Sequence, residues 1–196
     1  MFDVLLDSSD IYLSIGLAED GVLIDSIHYE AWQMQSEKMI PELQHILQKN
    51  HVKREQIRSF AVGKGPGSYT GVRIAMTIAK VGATSLHVPL YLISSLEMMK
   101  DEKELSICLM NARSKRSYVG IYQGDQVIRK DGIMTNEQVL AYINEHPNAV
   151  VIGDTEYLGI SGRKPEVLQG MLRMMEKCPP CENPLSASPV YMKDEV

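Results

Sequence analysis

The chain has 196 residues, 44% hydrophobic and 23% charged, the balance of a globular chain long enough for one large domain or two small lobes. Its net charge of −5 at pH 7 argues against a protein that grips nucleic acid by itself, since such binders carry a basic surplus; Arg113, Lys115 and Arg116 form one local exception. No apolar run reaches the roughly 18–20 residues that span a bilayer, and Met1–Asp7 lacks the features of a signal peptide, so the expected location is the cytoplasm.

Phe2–Asp7 and Ile11–Leu17, rich in β-branched and apolar residues, predict two strands. Asp20-Gly21 predicts a tight turn, because both residues tolerate positive φ, into a third strand over Val22–His28. The period then changes: Met39, Leu43, Ile46 and Leu47 fall at helical spacing within Ser36–Asn50. Pro41 inside that segment removes a hydrogen bond and crowds the preceding turn, predicting a kink or a later start to the regular helix. Ile57–Val62 predicts a strand, Gly63–Ser68 a loop and Thr70–Leu86 a long helix. Small residues recur along that helix at Gly71, Ala75, Ala79, Gly82 and Ala83, a face that admits either another helix or the chain's own sheet at close range. Leu90–Ile93 predicts a short strand, and Ser94 with Glu97 a capping box. The charged segment Lys100–Glu104 marks the expected boundary between lobes 1–100 and 101–196.

The second half repeats the order of elements, though not the residues. Strands are predicted over Leu105–Met110, Ser117–Tyr122 and Val127–Ile133, with Gly124-Asp125 as the second turn. Thr135 with Gln138 caps a helix bearing Val139, Leu140 and Ile143; Ala149–Ile152 is a strand; Pro165–Lys177 is a helix with Val167, Leu168, Met171, Leu172 and Met175 on one face. Two similar α/β lobes follow from this repetition.

Two segments could face an anion: Asp7-Ser8-Ser9 at the end of the first strand, and Gly65-Pro66-Gly67-Ser68 leading into a helix N-terminus. The loop lacks the lysine of a Walker sequence, and its glycines equally serve a tight strand-to-helix turn. His28, His45, His51, His87 and His146 are scattered without metal-ligand spacing, and no nucleophile, base and orienting group fall together, so neither a metal nor a cofactor is expected. Cys178-Pro-Pro-Cys181 has no helix opening at it to stabilise a thiolate, and reads as a loop with two free thiols.

Lys64-Gly65-Pro66-Gly67-Ser68-Tyr69-Thr70-Gly71-Val72-Arg73 resembles the G-P-G-S-[FY]-T-G-[LV]-R signature of the TsaB (YeaZ) family. Leu6-Asp7-Ser8-Ser9 is similar to that family's opening, Gln35–Pro41 to its H-S-E-x-L-[LI]-P segment, Asn111–Tyr118 to its D-A-R-[RK]-x-x-V-Y segment, and Pro189–Lys193 to its terminal P-x-Y-[LVM]-R. The resemblance implies two ribonuclease-H-like lobes of the ASKHA type, related to actin and sugar kinases. It implies a non-catalytic subunit that dimerises with a TsaD-type catalytic paralogue, is joined by a TsaE-type ATPase, and meets tRNA only through that complex. The shared task would be threonylcarbamoylation of the adenosine beside the anticodon. By this resemblance the expected partner-binding residues are Met39, Leu43, Ile46 and Leu47 on one helix with Val72, Ala75, Ile78 and Ala79 on the other. Asp7, Ser8, Ser9, Gly65, Gly67 and Ser68 would be a vestigial phosphate-facing set.

Three departures from the family pattern weaken an enzymatic reading: Gln35 replaces a histidine, Asn111 replaces an aspartate, and the second lobe is short. Two alternatives stay open, a small ASKHA-type ATPase or kinase and a metallopeptidase-like protein. Without its partner the helix face is expected to form a homodimer.

Overall fold

The computed structural model describes residues 1–192, so Lys193 of the terminal motif lies outside the described residues. Strands β1 (Phe2–Asp7), β2 (Tyr12–Glu19) and β3 (Val22–Glu30) form an antiparallel meander. The turn between β2 and β3 is Asp20-Gly21, both at positive φ, as the sequence predicts. Helix α1 (Gln35–Lys49) leads to β4 (Ile57–Gly63), which pairs parallel to β1. Helix α2 (Tyr69–Leu86) returns the chain to β5 (Leu90–Ile93), parallel to β4. The sheet order is β3-β2-β1-β4-β5.

The second lobe repeats the pattern with β6 (Leu105–Arg113), β7 (Arg116–Gln123), β8 (Gln126–Thr135), α3 (Asn136–Glu145), β9 (Val150–Gly153) and α4 (Val167–Lys177). Its sheet runs β8-β7-β6-β9, with β9 parallel to β6. The two-lobed α/β architecture inferred from the order of elements is therefore the observed one. One of the two capping boxes forms in full: Thr135 and Gln138 bond reciprocally at 3.2 and 2.9 Å. At Ser94 only half of the expected box forms: Ser94 Oγ accepts from the N–H groups of Leu96 and Glu97 at 3.2 and 3.1 Å, while the Glu97 carboxylate accepts from Lys100 Nζ at 3.1 Å.

Pro41 lies well inside α1, on its exposed side, so the helix neither starts after it nor breaks at it. The hydrogen bond that proline removes faces solvent there, where water can meet the carbonyl left free.

Period-2 alternation sorts the side chains of β1 into two cores. Val4 and Leu6 face α1 and α2 together with Leu13, Ile15, Met39, Ile46, Ala75 and Ala79. Leu5 faces the other way, into an interior shared by the two lobes with Ala61, Ile93, Leu96, Cys108, Tyr122 and Ile152. A third cluster, Ile107, Leu109, Val119 and Ile121, packs under Val139 of α3.

Helix α4 crosses back to the first lobe. Its Leu168, Met171 and Leu172 enter the shared interior, and it packs on β1 to β5 and on the 3-10 turn Glu97–Met99. At Gly170 the approach is so close that a Cβ would lie 1.6 Å from the Met98 carbonyl oxygen. The tail follows: Cys181 N–H donates to Leu90 O at 2.8 Å and Val190 N–H to Lys64 O at 2.7 Å. The first sheet is built from β1 to β5 and the second from β6 to β9, while α4 and the tail pack on first-lobe elements. A polar contact ties the lobes together: Asp131 on β8 accepts from Tyr122 OH on β7 and from Ser94 Oγ on the first lobe. Among the described residues, no helix is long and apolar enough to cross a membrane.

Candidate functional site

The turn after β1 and the start of α2 meet through backbone rather than around an open cradle. Ser8 Oγ donates to Gly71 O at 2.7 Å, and Ser68 N–H donates to Ser9 O at 2.7 Å. Ser68 Oγ caps α2 by accepting from Gly71 N–H at 3.2 Å, and Gly65 N–H donates to Ser95 Oγ at 3.1 Å. The glycines permit this closeness. A Cβ on Gly67 would lie 2.2 Å from Ser9 O, and one on Gly71 only 1.9 Å from Ser8 O. Of the expected phosphate-facing set, Ser9, Gly67 and Ser68 line the cleft between the lobes; Asp7, Ser8 and Gly65 are buried behind it. Several amides that a phosphate would use already serve the chain's own acceptors, so the glycine-rich loop acts as a backbone joint.

Asp7 is the unusual group of this joint. Its Oδ2 accepts from Ser9 Oγ and N–H at 3.0 and 3.3 Å, while its Oδ1 is buried with no hydrogen-bond partner among the described residues. Burial pushes its carboxyl up to about 6, against the two Ser9 hydrogen bonds that favour the charged form.

The cleft in front of the joint has a volume of about 640 Å³. Trp32, Tyr69 and Tyr118 supply aromatic walls; Asp10, Glu30 and Asp154 supply carboxylates; Arg113 is its cation. The Arg113 guanidinium lies 5.6 Å from the Trp32 ring centroid, reaching across from the β6–β7 turn, where Arg113, Ser114 and Lys115 all hold positive φ. Burial raises the carboxyl pKa of Asp10, and burial followed by the charge of Asp10 raises that of Asp154. The cleft is therefore short of cations.

The second candidate surface is the outward side of α1 and α2. Most of the expected partner-binding residues face inward here, and Ile78 also lines the outward groove. Met39, Ile46, Val72, Ala75 and Ala79 are buried in the chain's own interior, and Leu43, Leu47 and Ile78 are partly buried against it. The helical period identified one stripe on each helix, and each stripe packs on the first-lobe sheet, the more economical of the two uses open to a small-residue face. The solvent side instead carries a shallow groove of about 410 Å³ lined by Ser36, Ile40, Tyr69, Thr70, Arg73, Ile74, Thr77 and Ile78. Ile40 is 50% exposed and Tyr69 59% exposed. The signal for this face was present in the sequence as Ile40 and Ile74, outside the two expected stripes, but sequence alone does not say which of two apolar sides faces in.

Among the described residues no three His, Cys, Asp or Glu side chains converge as metal ligands. His28 is held structurally, with Nδ1 2.9 Å from Ser14 Oγ and its ring stacked on Tyr12. Cys178 and Cys181 are half-buried free thiols, each with its pKa raised chiefly by burial, which disfavours a reactive thiolate.

A family model described as TsaD, tRNA N6-adenosine threonylcarbamoyltransferase, matches residues 29–145. The Bacillus subtilis protein TsaB, a tRNA threonylcarbamoyladenosine biosynthesis protein, is 35% identical over 123 residues, covering 60% of this chain and 53% of the relative. Escherichia coli TsaB is 28% identical over 145 residues, covering 70% of this chain and 60% of the relative. The chain thus spans little more than half the length of these curated relatives. A crystal structure from Pseudomonas aeruginosa, described as similar to the peptidase YeaZ, superposes with a TM-score of 0.83 at 21% identity, covering 98% of this chain and 99% of that one, a likeness of fold. The family model covers more than half of the chain and its curated relatives carry the name TsaB, so the chain belongs to the threonylcarbamoyltransferase-like family, in its TsaB (YeaZ) group.

Proposed function

We propose that the chain is a non-catalytic accessory subunit of a tRNA threonylcarbamoyltransferase assembly and docks a TsaD-type catalytic subunit through the outward side of α1 and α2. The observation that carries this reading is the groove between those helices, apolar along Ile40, Ile74 and Ile78 and open to solvent. Two helices of another subunit would cover it in a four-helix arrangement, and each large side chain fully buried there contributes roughly 1.5–3 kcal/mol. Association with a TsaE-type ATPase, a homodimer through the same groove in the partner's absence, tRNA contact only through the complex, and a cytoplasmic location complete the proposal. The net charge of −5 supports the indirect tRNA contact.

Light scattering after size-exclusion chromatography, with the TsaD-type protein of the same organism, tests it. A discrete heterodimer is expected for the natural chain. Ile40→Asp should weaken it at least about 100-fold, because the carboxylate would be buried without a pair. Ile40 is half exposed in the single chain, so its circular dichroism and Tm should hold. An unaltered heterodimer with Ile40→Asp would take these helices out of the interface.

An ATPase or kinase reading would place a nucleotide in the cleft between the lobes. The charge there opposes it: among the described residues, Asp10, Glu30 and Asp154 are set against Arg113 alone. Trp32, the chain's one tryptophan, stands in that cleft and reports on it. Its fluorescence should show no saturable change with ATP or ADP up to about 1 mM, an affinity of only about 4 kcal/mol. A saturating change below that concentration would restore the ATPase reading.

A further inference from the structure

Arg73 projects from α2 into the groove and, among the described residues, is the charged one lining it. Its guanidinium lies 3.8 Å from the Tyr69 ring centroid and 5.3 Å from that of Tyr191, and its Nε donates to Tyr191 OH at 2.5 Å. The two rings are 5.1 Å apart. Tyr191 reaches this point from the far end of the chain, held by the Val190 N–H bond to Lys64 O at 2.7 Å. Among the described residues, the groups that act on the Arg73 guanidinium are the two tyrosines, with no carboxylate among them. An exposed arginine normally samples many rotamers; one stacked on an aromatic face and anchored through Nε has lost much of that freedom before any ligand arrives.

Resting on the docking reading above, we infer that Arg73 receives a carboxylate from the catalytic subunit, with Tyr69 and Tyr191 as the positioning residues that hold its guanidinium. A carboxylate is the protein side chain whose two oxygens match the planar fork of donors, and the surrounding isoleucines would shield the pair from water. The geometry is that of an interface anchor, a pre-oriented arginine beside aromatic rings at the end of an apolar seam. The partner helix would therefore carry an Asp or Glu beside its apolar stripe, a requirement that an apolar groove alone would not impose.

The test measures the Kd of the full chain for the TsaD-type protein of the same organism, at about 0.05 and about 0.5 M salt, where screening differs strongly. Arg73→Met keeps the length and removes the charge; it should weaken binding about 10–100-fold at low salt and remove most of the salt dependence. Arg73→Lys should lose about 3–10-fold, since a point charge replaces the fork. Tyr191→Phe should lose about 3–10-fold in the natural chain and nothing further in the Arg73→Met chain, because its hydroxyl acts through Arg73. Equal Kd and equal salt dependence for Arg73→Met, alongside loss of binding by Ile40→Asp, would leave the docking groove in place and overturn the arginine's role. Failure of Ile40→Asp to weaken binding would overturn the docking reading itself. An unchanged Kd together with poorer tRNA retention by the assembled Arg73→Met complex would assign Arg73 to a phosphate and also overturn the proposal.

Discussion

Gly71→Ala should destabilise the chain by about 3–5 kcal/mol, although helix propensity alone points the other way. Gly71 is the third residue of α2, where replacing glycine by alanine would ordinarily stabilise the helix by up to about 1 kcal/mol. The new methyl would stand 1.9 Å from Ser8 O, and backbone on both sides cannot swing away as a side-chain tip can. Relief requires α2 to lift from the end of β1, which breaks the Ser8 Oγ bond to Gly71 O and the Ser68 N–H bond to Ser9 O. The steric term therefore wins over the propensity term. Gly132→Ala is the matched control: its Cβ would meet only Lys130 O at 3.7 Å, so a change within about 0.5 kcal/mol is expected. Urea unfolding of both variants measures the difference. Near-equal midpoints would mean that the joint between β1 and α2 is compliant and that these glycines serve something other than close approach.

That joint shows what sequence conveys and what it withholds. Glycines before a helix are legible from the chain, but two uses compete for them, an anion cradle and a close backbone crossing. Only the position of Ser8 and Ser9 opposite Gly67 and Gly71 decides between the two. The β1 strand and the caps at Ser94 and Thr135 were legible because they depend on residues within a short segment, whereas the sorting of Val4, Leu5 and Leu6 into two cores was not, since all three are apolar. The helix stripes were legible as apolar faces, yet their destination was not. Met39 and Ala79 fit an inward or an outward face equally well until the sheet behind them is placed. The return of α4 to the first lobe was hidden for the same reason. A helix with Leu168, Met171 and Leu172 on one side needs an apolar surface, and nothing in its own residues says which lobe supplies it. The contact between Arg73 and Tyr191 joins residues 118 apart, beyond the reach of any periodicity, although both residues lie in segments that the family resemblance singled out.

Asp7→Asn should make the chain more stable near neutral pH, by about 1–3 kcal/mol, and remove part of its pH dependence. In the folded chain burial raises this carboxyl from 3.8 to about 6. The unfolded chain titrates it near its ordinary value of about 3.9. Below that value both states hold the proton and the group contributes no difference. Between about 4 and about 6 the folded state holds a proton that the unfolded state has released, so stability falls as pH rises. Above the folded pKa the full penalty of a buried, charged carboxylate is present, about 1.4 kcal/mol per pKa unit and thus at most about 3 kcal/mol. Asparagine keeps an oxygen to accept from Ser9 and carries no charge into the interior, but its amide then takes the place of the unpartnered Oδ1 beside Gly63, which reduces the gain. Unfolding free energies of the two chains, measured from about pH 4 to about pH 8, should converge at the acid end and separate through the window between the two pKa values. A constant difference across that range would show that Asp7 does not titrate in it, and an Asn chain less stable at neutral pH would show that the carboxylate has a compensating partner.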